Sequence, residues 1–97
     1  MLNRFMYTYE RFHGFLEDKF EDDVYAENIR EAELLIFAML KDFYAETRSE
    51  AIAIAESMLN QEVGGGWTTE DFLSYDIWSE DEMTAYRIHG IWEWSQD

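Results

Sequence analysis

LLIFAML, residues 34–40, is the longest unbroken apolar run of the chain. A helix that is apolar on every side lies in the interior of a fold, so this run marks the most buried element. Asn28 stands in front of it as a suitable N-cap, and we predict a helix over residues 29–46. Seven apolar residues are far fewer than the ~20 that a membrane-spanning helix needs.

The N-terminal segment, residues 2–21, has apolar side chains at helical spacing. These are Phe5, Tyr9, Phe12, Leu16 and Phe20. The spacing predicts a first helix, which Gly14 weakens only slightly.

After the central helix, Ser49 begins a stretch of residues that favour helix and that continue to Glu62. Its AIAIA alternation is also compatible with a strand, but the length and the propensities favour a helix. The glycine run 64–66 ends this element.

Two further elements follow the glycine run. Thr68 or Thr69 caps a short helix that reaches about Tyr75. Ser79 opens a Ser-x-x-Glu capping box, which predicts a last helix over residues 80–94. Alternation in the segment 85–94 also allows a strand there. The predicted fold is mostly α, a single-domain helical bundle of four to five helices over residues 1–97.

The composition combines a large negative charge with enough apolar surface for a core. There are 22 Asp and Glu against 7 Lys and Arg, a net charge of −15, and 18% of the residues are aromatic. Acidic disordered chains have few aromatics, so this chain is expected to fold. The absence of cysteine excludes disulfides and thiolate metal sites. The N-terminus has no long apolar segment typical of a signal peptide, and we expect a cytoplasmic protein.

The charge restricts the partners. A strongly negative field repels nucleic acid and anionic membranes, and it favours basic proteins. Solubility of a small domain needs a net charge of only about 2–8, so −15 suggests that the field has a use. Fifteen charges over a domain about 30 Å across correspond to about one per 2 Å, close to the ~1.7 Å of duplex DNA.

The charge is concentrated in the second half, with a net of −5 before residue 49 and −10 after it. Two clusters stand out as candidate partner-binding residues, and one surface could join them. They are Glu17, Asp18, Glu21, Asp22, Asp23 and Glu27, and Glu70, Asp71, Asp76, Glu80, Asp81 and Glu82.

Motifs for catalysis or metal binding are not complete. Glu10 and His13 form a Glu-x-x-His pair, but a di-metal bundle needs a second copy and two more inward glutamates. Neither acidic cluster has the EF-hand pattern of ligands. No cysteine or Gly-x-Ser-x-Gly motif supports nucleophilic catalysis. We therefore expect no enzyme activity, no cofactor and no specific metal site.

In composition, size and predicted helical character, the whole chain resembles phage-encoded acidic DNA mimics of the overcome-classical-restriction and anti-CRISPR types. The resemblance implies an inhibitor that occupies the basic nucleic-acid-binding cleft of a host defence nuclease, in the host cell cytoplasm. The alternative is a small acidic adaptor, chaperone or antitoxin that masks a basic partner through an aromatic groove. Trp67, Trp78, Trp92 and Trp94 would line that groove, and the oligomeric state is open, with a dimer allowed.

Overall fold

The centre of the structure, a computed structural model that describes residues 1–95, is an antiparallel sheet of four strands. The strands are β1 (Asn3–His13), β2 (Leu16–Ala26), β3 (Asp76–Trp78) and β4 (Thr84–Glu93). They lie in the order β2-β1-β4-β3, so the N-terminal hairpin occupies one side of the sheet. The prediction of a mostly α bundle is therefore wrong, and the fold is mixed α and β.

The predicted first helix over residues 2–21 is instead the hairpin of β1 and β2. Gly14 and Phe15 form its two-residue turn, and Gly14 has a φ of 60°. A two-residue turn with positive φ at its first position matches the right-handed twist of paired strands. Phe5, Tyr7 and Tyr9 alternate along β1, which favours a strand, but Phe5, Tyr9 and Phe12 also fit a helix. Pairing with two neighbouring strands decides between these patterns.

Three helices connect the two halves of the sheet: α1 (Ile29–Lys41), α2 (Arg48–Glu62) and α3 (Thr69–Leu73). The predicted cap of α1 is confirmed, because the Asn28 side chain accepts a hydrogen bond from the Glu31 N–H. The helix ends five residues earlier than predicted, since Asp42 adopts a left-handed conformation with a φ of 61°.

The other two helices begin close to their predicted positions. Thr47, one residue before α2, caps it by accepting from the Glu50 N–H. Thr68 caps α3 in a full capping box with Asp71.

The predicted last helix over residues 80–94 is the strand β4, so the strand alternative for 85–94 is the correct one. The supposed capping box at Ser79 is a turn. The Ser79 Oγ donates to Asp81 at 2.6 Å, and the Ser79 N–H donates to the Thr84 carbonyl at 2.9 Å. These hydrogen bonds form the turn that joins β3 to β4. The residues after the turn are extended and form β4.

The core lies between one face of the sheet and α1. Leu34, Ile36, Phe37 and Leu40 of the LLIFAML run are buried, as the run predicted, whereas Met39 is exposed. α1 contacts β2, β3 and β4, and α2 packs mainly on the side of α1. No helix within residues 1–95 is long and apolar enough to cross a membrane.

The opposite face of the sheet carries no helix of residues 1–95, and we call it the open face. Residues of β1 alternate between the faces, so Phe5 and Tyr7 enter the core and their neighbours point the other way. The open face therefore includes Met6, Thr8, Glu10 and Phe12 of β1, and Gly90 and Trp92 of β4. β4 keeps this pattern through an extra residue, His89, which lies between the pairs Thr8–Gly90 and Tyr9–Ile88.

Candidate partner-binding surface

Five of the six acids in the first predicted cluster lie on β2, at one edge of the sheet. Glu17, Glu21 and Asp23 share the open face, and Asp18 and Asp22 share the face of the helices. Glu27 follows the strand, before α1. We call the outer side of β2, residues 16–23, the β2 edge.

Several of these acids already have partners. Asp18 accepts from Arg11 at 2.9 Å, and Asp23 accepts from Arg4 at 2.9 Å. Asp22 accepts the backbone N–H of Asp23 at 2.8 Å. Because Asp18 and Asp23 are each paired with an arginine, they contribute less than a full charge each to what this edge presents to a partner.

The second predicted cluster lies around β3, and its members have different local tasks. Asp71 is part of the cap of α3. Asp76 accepts two hydrogen bonds from Arg87, at 2.9 and 3.2 Å. Asp81 accepts from Ser79 and from the Met83 N–H, and these hydrogen bonds hold the pKa of its carboxyl below the usual range.

Three acids of this cluster, Glu70, Glu80 and Glu82, are exposed, and their carboxylates accept no hydrogen bond from another described residue. Glu80 and Glu82 lie in the turn that joins β3 to β4, and we call this turn, together with β3, the β3 edge.

The sheet order separates the two clusters instead of merging them into one patch. β2 and β3 are the outermost strands, three strand spacings apart. At about 4.8 Å per spacing, the two edges are about 14 Å apart, with the open face between them. The acids of β2 and those of the turn between β3 and β4 thus lie at opposite borders of the open face, whereas Glu70 and Asp71 lie on α3.

Near the middle of the open face lies Glu10, which is only 9% exposed. Its carboxylate forms a hydrogen bond with His89 Nε2 and another with Glu17. The hydrogen bond with Glu17 lowers the pKa of Glu10, and the same contact raises the pKa of Glu17. The sequence contains no signal for this group, because Glu10 and His89 are 79 positions apart along the chain.

The Glu-x-x-His spacing of Glu10 and His13 has no common site in the structure. Residues three apart share one face of a helix, but on a strand they point to opposite faces. The Nδ1 atom of His13 instead lies 2.8 Å from the hydroxyl oxygen of Thr84. Among the described residues, no group of three or more His, Asp or Glu side chains is placed to hold a metal ion.

The four tryptophans of the hypothetical groove do not form one surface. Trp67 is 4% exposed and packs in the core, with the Arg30 guanidinium over its ring. Trp78, Trp92 and Trp94 are exposed by 47%, 43% and 39%. The Trp92 ring lies beside Gly90, where its carbon atoms approach the position that a Cβ would occupy to 3.7 Å.

No known protein family, no curated protein and no solved structure matches this chain.

Proposed function

We propose that this protein is a DNA mimic that inhibits a host defence nuclease by occupying its basic nucleic-acid-binding cleft. The observation that carries the proposal is the placement of acids along two opposite sheet edges, about 14 Å apart, beside an uncovered face. Duplex DNA also presents two charged rows beside a groove, and its major groove is about 12 Å wide. A basic cleft that binds the two rows of phosphates would meet two rows of carboxylates at a similar separation on this protein.

The amount of charge supports the same function. Fifteen net charges over a longest dimension of 39 Å amount to about one per 2.6 Å. This density is lower than the sequence-based figure because the molecule is elongated, with extents of 39 × 29 × 26 Å. It is still of the order that attracts a basic cleft over long range and speeds association.

The proposed mechanism is occupancy without chemistry. The protein would act in the cytoplasm, where the basic enzyme that it inhibits meets DNA, and it would need no cofactor and no metal. Steering by the field gives fast association, and release of ions from the cleft gives an affinity that falls steeply with salt.

In the test, the immobilised protein captures binding partners from a host cell lysate at low salt. Duplex DNA, or the same volume of buffer, is then added to the captured proteins. We expect mass spectrometry to identify nucleic-acid-binding proteins that DNA displaces and buffer does not. The affinity of each captured protein is then measured between 50 and 200 mM salt, with a drop of at least tenfold expected. Partners that stay bound in excess DNA, or whose affinity does not change with salt, would contradict mimicry.

A pair of matched variants tests whether the edges carry the interaction. Glu21→Gln with Glu80→Gln removes one charge from each edge, and Glu56→Gln with Glu62→Gln removes two from α2. All four side chains are exposed, so the variants differ in the location of the lost charge and not in its amount. We expect the edge variant to lose more affinity and more salt dependence. Equal losses would show that only the net charge matters.

A second candidate function is an adaptor that binds a basic partner through exposed aromatic side chains. Trp92 lies on the open face, and Arg4 lies over the Trp94 ring at 5.0 Å from its centre. Exposed tryptophan and arginine are typical of protein interfaces. In this case Trp92→Thr would reduce partner binding strongly, whereas mimicry predicts a loss smaller than that of the edge variant.

A further inference from the structure

We propose that the β2 edge binds an extended basic segment of a partner protein as a fifth strand of the sheet. The inference rests on the proposed function, because it names the part of a basic partner that one of the two acidic edges takes up. Addition of a strand supplies main-chain hydrogen bonds for affinity, and the alternating side chains supply specificity.

The backbone of the β2 edge has hydrogen-bonding groups that the rest of the described chain does not use. In an antiparallel pair every second residue turns its N–H and C=O away from the partner strand. The Asp23 N–H donates to the Asp22 side chain and the Tyr25 carbonyl accepts from Arg48, which assigns these two residues to the outward set. The same period of two adds Glu17, Lys19 and Glu21, whose outward groups make no hydrogen bond within residues 1–95.

This edge has charged devices against pairing, which are Lys19 and the helix-side Asp18 and Asp22, but it lacks the devices that distort or cover a strand. Long edge strands are generally protected by proline, by bulges, by inward charges or by a covering helix. The chain has no proline, and the pairing of β1 with β2 runs from His13–Leu16 to Asn3–Ala26 without a register shift. Every side chain from Leu16 to Glu21 is exposed. The free edge is therefore regular and accessible over about 20 Å.

The side chains on this edge define the occupant. On the open face, Glu17 and Glu21 flank Lys19, and on the other face the exposed apolar residues are Leu16 and Phe20. A strand with basic residues on one face and β-branched residues on the other meets both sets through cross-strand pairs. A second copy of this chain is a poor occupant, because it would bring another net charge of −15 to the same edge.

The probe is a ten-residue peptide that alternates arginine and valine, added to the protein at low salt. Amide hydrogen exchange by NMR then reports which N–H groups become hydrogen-bonded. We expect slower exchange at the outward amides of Glu17, Lys19 and Glu21 and little change at Asp18 and Phe20, which already pair with β1. Binding by charge alone would not select every second amide.

Two substitutions of Lys19 separate the backbone from the charge. Lys19→Pro removes an outward N–H, a change that an edge strand tolerates on its solvent side. Lys19→Thr removes the same charge and keeps the N–H. We expect Lys19→Pro to bind the peptide about tenfold or more weakly than Lys19→Thr, although both make the edge more acidic.

Three results would contradict the proposal that a basic segment binds as a fifth strand. The first is equal affinity for a peptide that carries its arginines and valines in two blocks, and the second is no selective protection of the three outward amides. The third is a dimer in analytical ultracentrifugation that Lys19→Pro abolishes and Lys19→Thr does not. If Lys19→Pro does not fold, the exchange pattern of the unaltered protein still decides. Displacement of captured partners by DNA is measured separately, so the DNA mimic can stand when the fifth strand fails.

Discussion

Replacing Glu33 by glutamine is expected to stabilise the protein at neutral pH. Glu33 lies on α1 and is 1% exposed, and its Oε2 atom has no hydrogen-bond partner among the described residues. Burial raises the pKa of its carboxyl, and a hydrogen bond from Thr69 and the charge of Arg30 offset only part of that effect. Folding therefore shifts Glu33 toward its neutral form relative to the unfolded state, and glutamine reproduces the shape of that form.

Glutamine keeps a polar atom at the position of Oε2, so it removes only the cost of the buried charge, which is about 1.4 kcal/mol for each unit by which burial raises the pKa. Attraction to Arg30 offsets part of it, so we expect glutamine to raise the free energy of unfolding by about 1–2 kcal/mol at pH 7.5. For a domain of this size, that gain corresponds to a rise in Tm of roughly 5–10 °C.

The pH dependence gives the sign of the effect. Because the pKa of Glu33 is higher in the folded than in the unfolded state, the carboxyl destabilises the fold only when the pH lies above its unfolded value, about 4.3. The penalty grows as the pH rises from the unfolded to the folded pKa and is constant above that. At pH 3 both states are protonated, and the benefit of glutamine should vanish.

The assay is urea unfolding followed by circular dichroism at pH 3 and pH 7.5, with Glu56→Gln as the control. Glu56 is exposed on α2, so its substitution measures the general relief that any lost negative charge brings to a chain of net −15. If Glu33→Gln gains no more than the control at pH 7.5, or keeps its advantage at pH 3, the buried carboxylate is not destabilising.

Three further predictions concern the fold. Arg48→Met is expected to cost up to about 1 kcal/mol at pH 7, because Arg48 lowers the pKa of Glu31 and so stabilises the fold above the unfolded pKa of that carboxyl; the loss should shrink toward pH 3 in the same urea assay. Gly14→Ala should cost about 1 kcal/mol, since Gly14 has a φ of 60° and open space around its Cβ position, whereas Gly65→Ala, without positive φ, should leave Tm nearly unchanged. Phe37→Ala should cost about 3–5 kcal/mol by thermal unfolding, and a loss below 1 kcal/mol would contradict its place at the centre of the core.

The candidate surface illustrates how far composition leads and where it stops. The sequence identifies the acids, and their crowding predicts a surface that attracts basic partners. It does not reveal that Asp18, Asp23 and Asp76 are paired with arginines. These pairs join strands that are brought together by folding, so spacing along the chain contains no signal for them.

The elements that the sequence determined by itself are those with local causes. The cap at Asn28 depends on a side chain and an N–H three residues away, and the burial of the LLIFAML run depends on its own apolar surface. Residues 2–21 and 80–94 fit both periods, and helix or strand is decided there by partners far along the chain. These segments form strands because β1 pairs with both β2 and β4, so that its backbone N–H and C=O groups are hydrogen-bonded on both sides. The resulting strand order places the acids of β2 and those of the turn between β3 and β4 at opposite edges of the sheet, a separation that does not depend on charge.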